Sequence, residues 1–321
     1  MENKKVVTRI KEKLHRGKFI FLILIMFAVG AIGGLSVRWK EAYERFGRER
    51  PHESVEAADT VAPPPVTAAG AILIETSQPE GGTGDFQREV LFEKDADKKL
   101  YPASTTKIMT ALVTLETLDQ LGLGIDSEVI IPKEAQGVEG SSIYLKKGER
   151  LTIEELLYGL MLQSGNDSAV ALAICIGGNE DAFVEKMNKK AADLGCLSTH
   201  FANPSGLHHE EHYTTARELA IIASEAMKRE DFRKIVSSKS WQSKTSNRNI
   251  TNKNKTVFQY EDATGIKIGY TMAAGRTLVA SSKRNGRELI AVVLNDGNWF
   301  NDAYSLMDYG FKKIGVETNS E

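Results

Sequence analysis

The chain has 321 residues, 41% hydrophobic and 26% charged, with a formal net charge of −2. That length fits one large core or two modest ones. The near-neutral balance excludes the electrostatic footprint of a nucleic-acid binder.

Charge is unevenly placed along the chain. Residues 1–18 carry Lys4, Lys5, Arg9, Lys11, Lys13, Arg16 and Lys18 against only two acids, and read as a basic cytoplasmic leader. Residues 19–37, "FIFLILIMFAVGAIGGLSV", hold no charge. As a helix rising about 1.5 Å per residue they would reach about 28 Å, near the apolar thickness of a bilayer. A basic flank ahead of an apolar run keeps the N-terminus inside and sends the rest out of the cytoplasm. The favoured reading is an uncleaved signal-anchor. The rival is a cleaved signal peptide with its site near Ala31-Ile32-Gly33. Either reading places the remainder at or beyond the outer face of the cell membrane. Residues 38–66 are charged, then proline-rich at Pro63-Pro64-Pro65, and read as an extracytoplasmic linker.

The folded domain is expected over 67–316, with 317–321 as a tail. "GAILIE" (70–75) and "REVLFEK" (88–94) read as strands around a glycine-rich turn. Helical periodicity starts near Ser104, with Ile108, Leu112, Leu115 and Leu118 on one stripe. Thr152 followed by Glu155, and Thr215 followed by Glu218, have the capping-box spacing at the heads of two further helices. Residues 167–176 and 180–195 are helical between them, the second closing on Gly195. The pattern then turns β-rich at 265–271, 276–282 and 288–294, with Asn285-Gly286 as a hairpin turn. A last helix covers 301–315. Strands at both ends with helices between predict an α+β domain, its antiparallel sheet built from both ends and packed on a helical region. Cys175 lies in the apolar run "AVALAICIGG" and is expected to be a small buried hydrophobe. Its spacing to Cys196 fits no zinc pattern and leaves a disulfide open.

Three polar groupings carry chemistry. Ser104 and Lys107, in "YPASTTKIMT", are one helical turn apart on one face. A lysine accepts a serine's proton only when neutral, so such a site must lower its pKa by burial or a second cation. Alone, the pair also reads as a polar helix start. Ser164-Gly165-Asn166 is wedged between two apolar helices, where polar groups need partners. Lys267 and Gly269 open the first late strand. S-x-x-K, S-D-N and K-T-G are together the signature of penicillin-interactive serine enzymes, and here their counterparts S-T-T-K, S-G-N and K-I-G stand in that order.

On these motifs and on "GSSIYLKKGERLTIEELLYGLMLQSGNDSAVALA", "NPSGLHHEEHYTTARELA" and "AGRTLVAS", the chain resembles the serine D-alanyl-D-alanine carboxypeptidases over residues 67–315. These are low-molecular-mass penicillin-binding proteins of the bacterial wall. The resemblance implies their transpeptidase-like fold and an acyl-enzyme on Ser104. Lys107 would be the general base, and Ser164 would relay a proton to the leaving D-alanine. Asn166 would position substrate and Lys107, and Lys267 would add positive potential, attracting the substrate's terminal carboxylate and helping keep Lys107 neutral. Gly269 would admit the substrate backbone, and the N–H groups of Ser104 and Tyr270 would form the oxyanion hole. Peptidoglycan stem peptides and β-lactams are the implied partners, with no cofactor and no metal.

Two departures stand out. The family has threonine or serine where this chain has Ile268, and that hydroxyl is held to bind the substrate's terminal carboxylate. Losing one such bond should cost about 1.5–3 kcal/mol. Thr271 lies close enough in sequence to compensate. Many relatives also continue into a second domain and a C-terminal membrane helix. This chain stops soon after "FKKIG", which favours the N-terminal segment as anchor. "HHEEH" (208–212) lacks the zinc-protease spacing and reads as a solvated loop. The polar stretch 238–256 reads as exposed strands and loops. A β-lactamase is disfavoured because 197–206, where its deacylating glutamate is sought, holds no acid.

Overall fold

The computed structural model describes residues 61–77 and 87–316. The leader, the proposed membrane segment, most of the linker and the tail lie outside the described residues.

In chain order the elements begin with strands β1 (Gly70–Ser77) and β2 (Gln87–Lys94). A 3-10 turn, Ala103–Thr106, runs directly into helix α1 (Lys107–Leu121). Short strands β3 (Glu128–Ile130) and β4 (Arg150–Thr152) pair with each other ahead of α2 (Ile153–Leu162). Helices α3 (Asn166–Gly177), α4 (Glu180–Asp193), α5 (Ala216–Ala226) and α6 (Glu230–Ser237) follow. A small hairpin, β5 (Ser240–Gln242) with β6 (Asn249–Thr251), and the short helix α7 (Thr256–Gln259) come next. Strands β7 (Ala263–Thr271), β8 (Gly275–Arg284) and β9 (Arg287–Leu294) precede the last helix, α8 (Trp299–Lys313).

The main sheet is antiparallel, in the order β2-β1-β9-β8-β7. The two chain ends meet where β1 pairs with β9, Leu73 opposite Ala291. The expected α+β arrangement is therefore what the chain adopts. Helix α8 covers one face, packing Leu306, Met307 and Phe311 on Leu73, Leu278 and Val293. The larger core, on the other side, unites Ile72 and Ile290 with α1 to α6. Because both faces are covered, β1 and β9 are buried almost without interruption and read as continuous apolar runs. The stripe Ile108, Leu112, Leu115 and Leu118 is wholly buried.

Local chemistry explains the element ends. Thr152 and Thr215 accept from the N–H groups of Glu155 and Glu218, as the spacing predicts. The glutamates do not reach back. Glu155 is fully buried and accepts from Ser243, Thr245, Ser246 and Arg248, which fastens the β5–β6 hairpin to α2. The stretch expected to be merely exposed is thus anchored on a buried carboxylate. Asn285 and Gly286 both take positive φ, 50° and 81°, as a two-residue hairpin turn requires. Cys175 is half-buried rather than buried, Cys196 is buried, and both thiols are free.

Candidate active site

Ser104 and Lys107 meet, but not on one α-helix. Ser104 sits in the 3-10 turn and Lys107 opens α1. Two close approaches hold this turn. On the sheet side, Gly269 of β7 lies so near that a Cβ there would stand 2.8 Å from Ser104 N and 3.0 Å from Thr105 N. On the other side Gly206, at φ +83°, lies directly against the Ala103 carbonyl. Only glycine permits backbone to approach backbone from both flanks. Thr277 Oγ1 completes the clamp by donating to the Pro102 carbonyl at 3.0 Å.

Lys107 is wholly buried. Its Nζ lies 2.7 Å from Asn166 Oδ1, 2.5 Å from the Ser205 carbonyl and 3.1 Å from Ser104 Oγ. Burial drives its pKa well below the usual lysine range, and the charge of Lys267 pushes the same way. A neutral amine has two N–H donors and one lone pair. In that neutral state, with Asn166 and Ser205 accepting both N–H bonds, the lone pair would be left for the Ser104 hydroxyl to donate into. The arrangement suits a base waiting for a proton.

Asn166 opens α3 and is itself fixed. Its Nδ2 donates to the Glu139 carbonyl and its backbone N–H to the Ser141 carbonyl, both at 2.6 Å. Asp167, to which the sequence reading gave no role, is fully buried beside it. Its carboxylate accepts from Ser142 Oγ and from the N–H groups of Ile143 and Leu145, holding the 139–145 loop against the site. Its charge also partly opposes the fall in the Lys107 pKa.

Ser164 lies in the α2–α3 connection with φ +61° and is buried. Its hydroxyl makes no hydrogen bond among the described residues, and it adjoins Gly165 and Asn166, the latter on Lys107 Nζ. Lys267 is 1% exposed, and burial, with the charge of Lys253, lowers its pKa to about 7. It donates to the Ile268 carbonyl at 2.9 Å. Tyr270 is 62% exposed beside it. Ile268 lies opposite Leu278 and packs on the α8 cluster. Thr271, considered a stand-in for the missing hydroxyl, instead closes the β7–β8 turn by accepting from Ala274 N–H.

The missed partner is Ser205. Its carbonyl comes from the stretch searched for a glutamate, and a backbone acceptor leaves no trace in residue identity. Asn203 shapes that loop by accepting from the N–H groups of Ser205 and Gly206. In "HHEEH", His208, His209 and Glu211 are exposed as expected, but His212 is buried. Its Nε2 lies 2.8 Å from Thr106 Oγ1, and its Nδ1 accepts from Ala202 N–H, so it ties this loop to the nucleophile turn. Among the described residues no group of three or more histidines, cysteines and acids could hold a metal ion.

The profile of the family described as D-alanyl-D-alanine carboxypeptidase, Peptidase_S11, matches residues 57–298. Among curated proteins the chain is 39% identical to D-alanyl-D-alanine carboxypeptidase DacF of Bacillus subtilis. That match covers 70% of this chain and 57% of DacF. It is 35% identical to the D-alanyl-D-alanine carboxypeptidase of Streptomyces sp. K15, covering 79% of this chain and 90% of the relative. Among solved structures, penicillin binding protein 6B of Escherichia coli superposes with TM-score 0.70 at 29% identity, over 78% of this chain and 80% of that one. The Streptomyces K15 DD-transpeptidase superposes with TM-score 0.68 at 34% identity, over 78% of this chain and 99% of that one. With its nucleophile turn, buried lysine and edge strand in the arrangement described, and with these matches, the chain belongs to the D-alanyl-D-alanine carboxypeptidase family.

Proposed function

We propose that the chain is a serine D,D-carboxypeptidase that removes the terminal D-alanine from peptidoglycan pentapeptide stems and is acylated by β-lactams. The observation that carries this reading is the buried Nζ of Lys107, which lies within hydrogen-bond distance of Ser104 Oγ, Asn166 Oδ1 and the Ser205 carbonyl. Ser104 Oγ attacks the carbonyl between the two D-alanines as its proton passes to Lys107. The carbonyl oxygen becomes an oxyanion facing the N–H groups of Ser104 and Tyr270. Collapse breaks the C–N bond; the departing amine takes the Ser164 hydroxyl proton, which is replaced by the proton Lys107 received, so Lys107 is neutral again. Water then adds to the ester as Lys107 takes its proton, and that proton returns to Ser104 Oγ as the Oγ–C bond breaks. The substrate backbone lies along β7, which is the edge of the sheet and has open ladder positions.

The test is D-alanine release from diacetyl-Lys-D-Ala-D-Ala by the full-length chain, beside the Ser104→Ala variant. Release that depends on Ser104 supports the reading, and none from the unaltered chain would sink it. Ile268 motivates a second reading, a peptide-binding protein of low turnover. Acylation by penicillin without D-alanine release would favour it. A β-lactamase is the third and weakest reading, and rapid release of hydrolysed penicillin would favour it.

The same reading places the domain outside the cytoplasm on an N-terminal membrane anchor, residues 19–37, with the linker 38–66 between them. The basic leader and uncharged run support it. Among the described residues no helix is long and apolar enough to cross a membrane. Protease shaving of intact cells should remove the domain and spare the leader. Protection of the domain would contradict this placement.

A further inference from the structure

When Lys107 takes the Ser104 proton, a neutral pair becomes an ammonium beside an oxyanion. The oxyanion faces N–H donors, but a buried ammonium calls for an opposite charge. Among the described residues Lys107 Nζ has no carboxylate partner, only Ser104 Oγ, Asn166 Oδ1 and the Ser205 carbonyl. Most of its surroundings oppose the charge. Burial lowers its pKa, and the charges of Lys267 on β7 and Lys253 after β6 lower it further. His212, in the loop beneath Thr106, adds no counter-charge, since burial lowers its own pKa to about 3.

Asp167 is the exception. It is fully buried and adjoins Asn166 at the head of α3. Its carboxylate accepts from Ser142 Oγ at 2.6 Å and from the N–H groups of Ile143, Leu145 and Ser168 at 3.0, 3.1 and 2.9 Å. All four are donors, which suits an ionised carboxylate, since a carboxylic acid would bring an O–H of its own. Among the described residues no lysine, arginine or histidine pairs with it. A whole charge buried without a counter-ion is costly. Fastening the loop needs only acceptors, which a neutral amide oxygen also supplies, so it leaves the charge unexplained. Asn166 joins the two groups. Its Oδ1 lies 2.7 Å from Lys107 Nζ, and its Nδ2 donates to the Glu139 carbonyl, in the loop that Asp167 grips. The charge of Asp167 favours a protonated Lys107, against burial and the two lysines.

We infer that Asp167 is a positioning residue for the general base, its fixed charge stabilising the ammonium that Lys107 becomes as Ser104 Oγ attacks. This rests on the carboxypeptidase reading of the site. The proton moves from Ser104 Oγ to Lys107 Nζ, and Asp167 takes none of it. The anion is in place before reaction begins, so nothing rearranges when the positive charge forms.

The test compares the full-length chain in detergent with Asp167→Asn and with Ser142→Ala, which loosens the same loop and keeps the charge. Acylation by benzylpenicillin is followed by intact mass across a range of pH. Asp167→Asn should lower the plateau rate about tenfold and carry the acid limb about one unit toward lower pH. Ser142→Ala should slow the reaction and leave the limb in place. An unmoved limb in Asp167→Asn, or an equal shift in Ser142→Ala, would overturn the assignment. Should Asp167→Asn not fold, Asp167→Ser is read in the same way. The Nζ resonance of Lys107 in isotope-labelled chain, titrated on a Ser104→Ala background, gives a reading free of turnover. Its midpoint should fall when Asp167→Asn is added, and an unmoved midpoint would also overturn the assignment. If the unaltered chain is never acylated, the carboxypeptidase reading fails, while that titration still decides on Asp167.

Discussion

Gly269→Ala isolates the geometry of the nucleophile from its chemistry. The added Cβ would stand 2.8 Å from Ser104 N and 3.0 Å from Thr105 N. Ordinary carbon contacts begin near 3.4 Å, so the turn must retreat by about half an ångström. It has little room to do so, because Gly206 already abuts the Ala103 carbonyl, and the Cβ would also press on Thr277 Oγ1, its nearest neighbour and the group that holds Pro102. Overpacking of this kind costs about 1–3 kcal/mol, or a fall in Tm of about 2–10 °C for a domain this size. A misplacement of 1 Å can cost about a hundredfold in rate, so half that shift should cost about tenfold. The assay is the second-order rate of acylation by benzylpenicillin, followed by intact mass, with a melting curve on the same sample. Ser104 and Lys107 are untouched, so the adduct should still form, only slowly. A Gly269→Ala chain with both the unaltered rate and the unaltered Tm would refute the claim that backbone packing here positions the nucleophile.

Three further predictions follow from single residues. Ser164 holds φ +61° without being glycine, a conformation costing about 1–2 kcal/mol. Ser164→Gly should therefore gain up to about 1 kcal/mol of stability once the looser unfolded chain is counted, while D-alanine release falls about a hundredfold or more with the proton relay gone. A lower Tm or unchanged turnover would contradict this. Burial and the charges of His200 and His209 lower the pKa of His212 from 6.5 to about 3. Below pH 6.5 the unfolded chain takes up a proton that the folded chain refuses, so stability rises with pH across this window. Urea midpoints should fall between about pH 7 and pH 5, by up to about 1.4 kcal/mol per unit from this residue, and His212→Gln should flatten that slope. An unaltered slope would count against a buried neutral His212. Ile268 packs on the α8 cluster, so Ile268→Thr should cost about 1 kcal/mol in packing and leave kcat/KM on the free-acid peptide within about twofold. A rise of about tenfold would show that Ile268 does restrain turnover.

Much of the fold and the heart of the site were legible because they depend on local patterns. The stripe of α1, the threonine caps and the Asn285-Gly286 turn each follow from a few neighbouring residues. The contact of Ser104 with Lys107 was foreseeable from their spacing, although it forms where a 3-10 turn meets the helix. What stayed hidden depends on distant backbone or on which of two bonds a side chain prefers. The Ser205 carbonyl reaches Lys107 across 98 residues of chain. Glu155 has capping-box spacing, yet four hydroxyl and guanidinium donors from the β5–β6 hairpin outcompete one backbone N–H. Strands β3 to β6 are three residues each, too short for period-two alternation to show. His212 resembled its exposed neighbours because nothing nearby in sequence reveals Thr106 beneath it.

The account stands on an uncharged Lys107, and the pH dependence of Ser104 acylation reads that state directly. The rate of benzylpenicillin adduct formation, located on the Ser104 peptide by mass spectrometry, should already be level across neutral and mildly alkaline pH. It should fall only as acid protonates the buried amine. A rate that keeps climbing about tenfold per unit toward pH 10, as for a lysine titrating at its ordinary value, would contradict it.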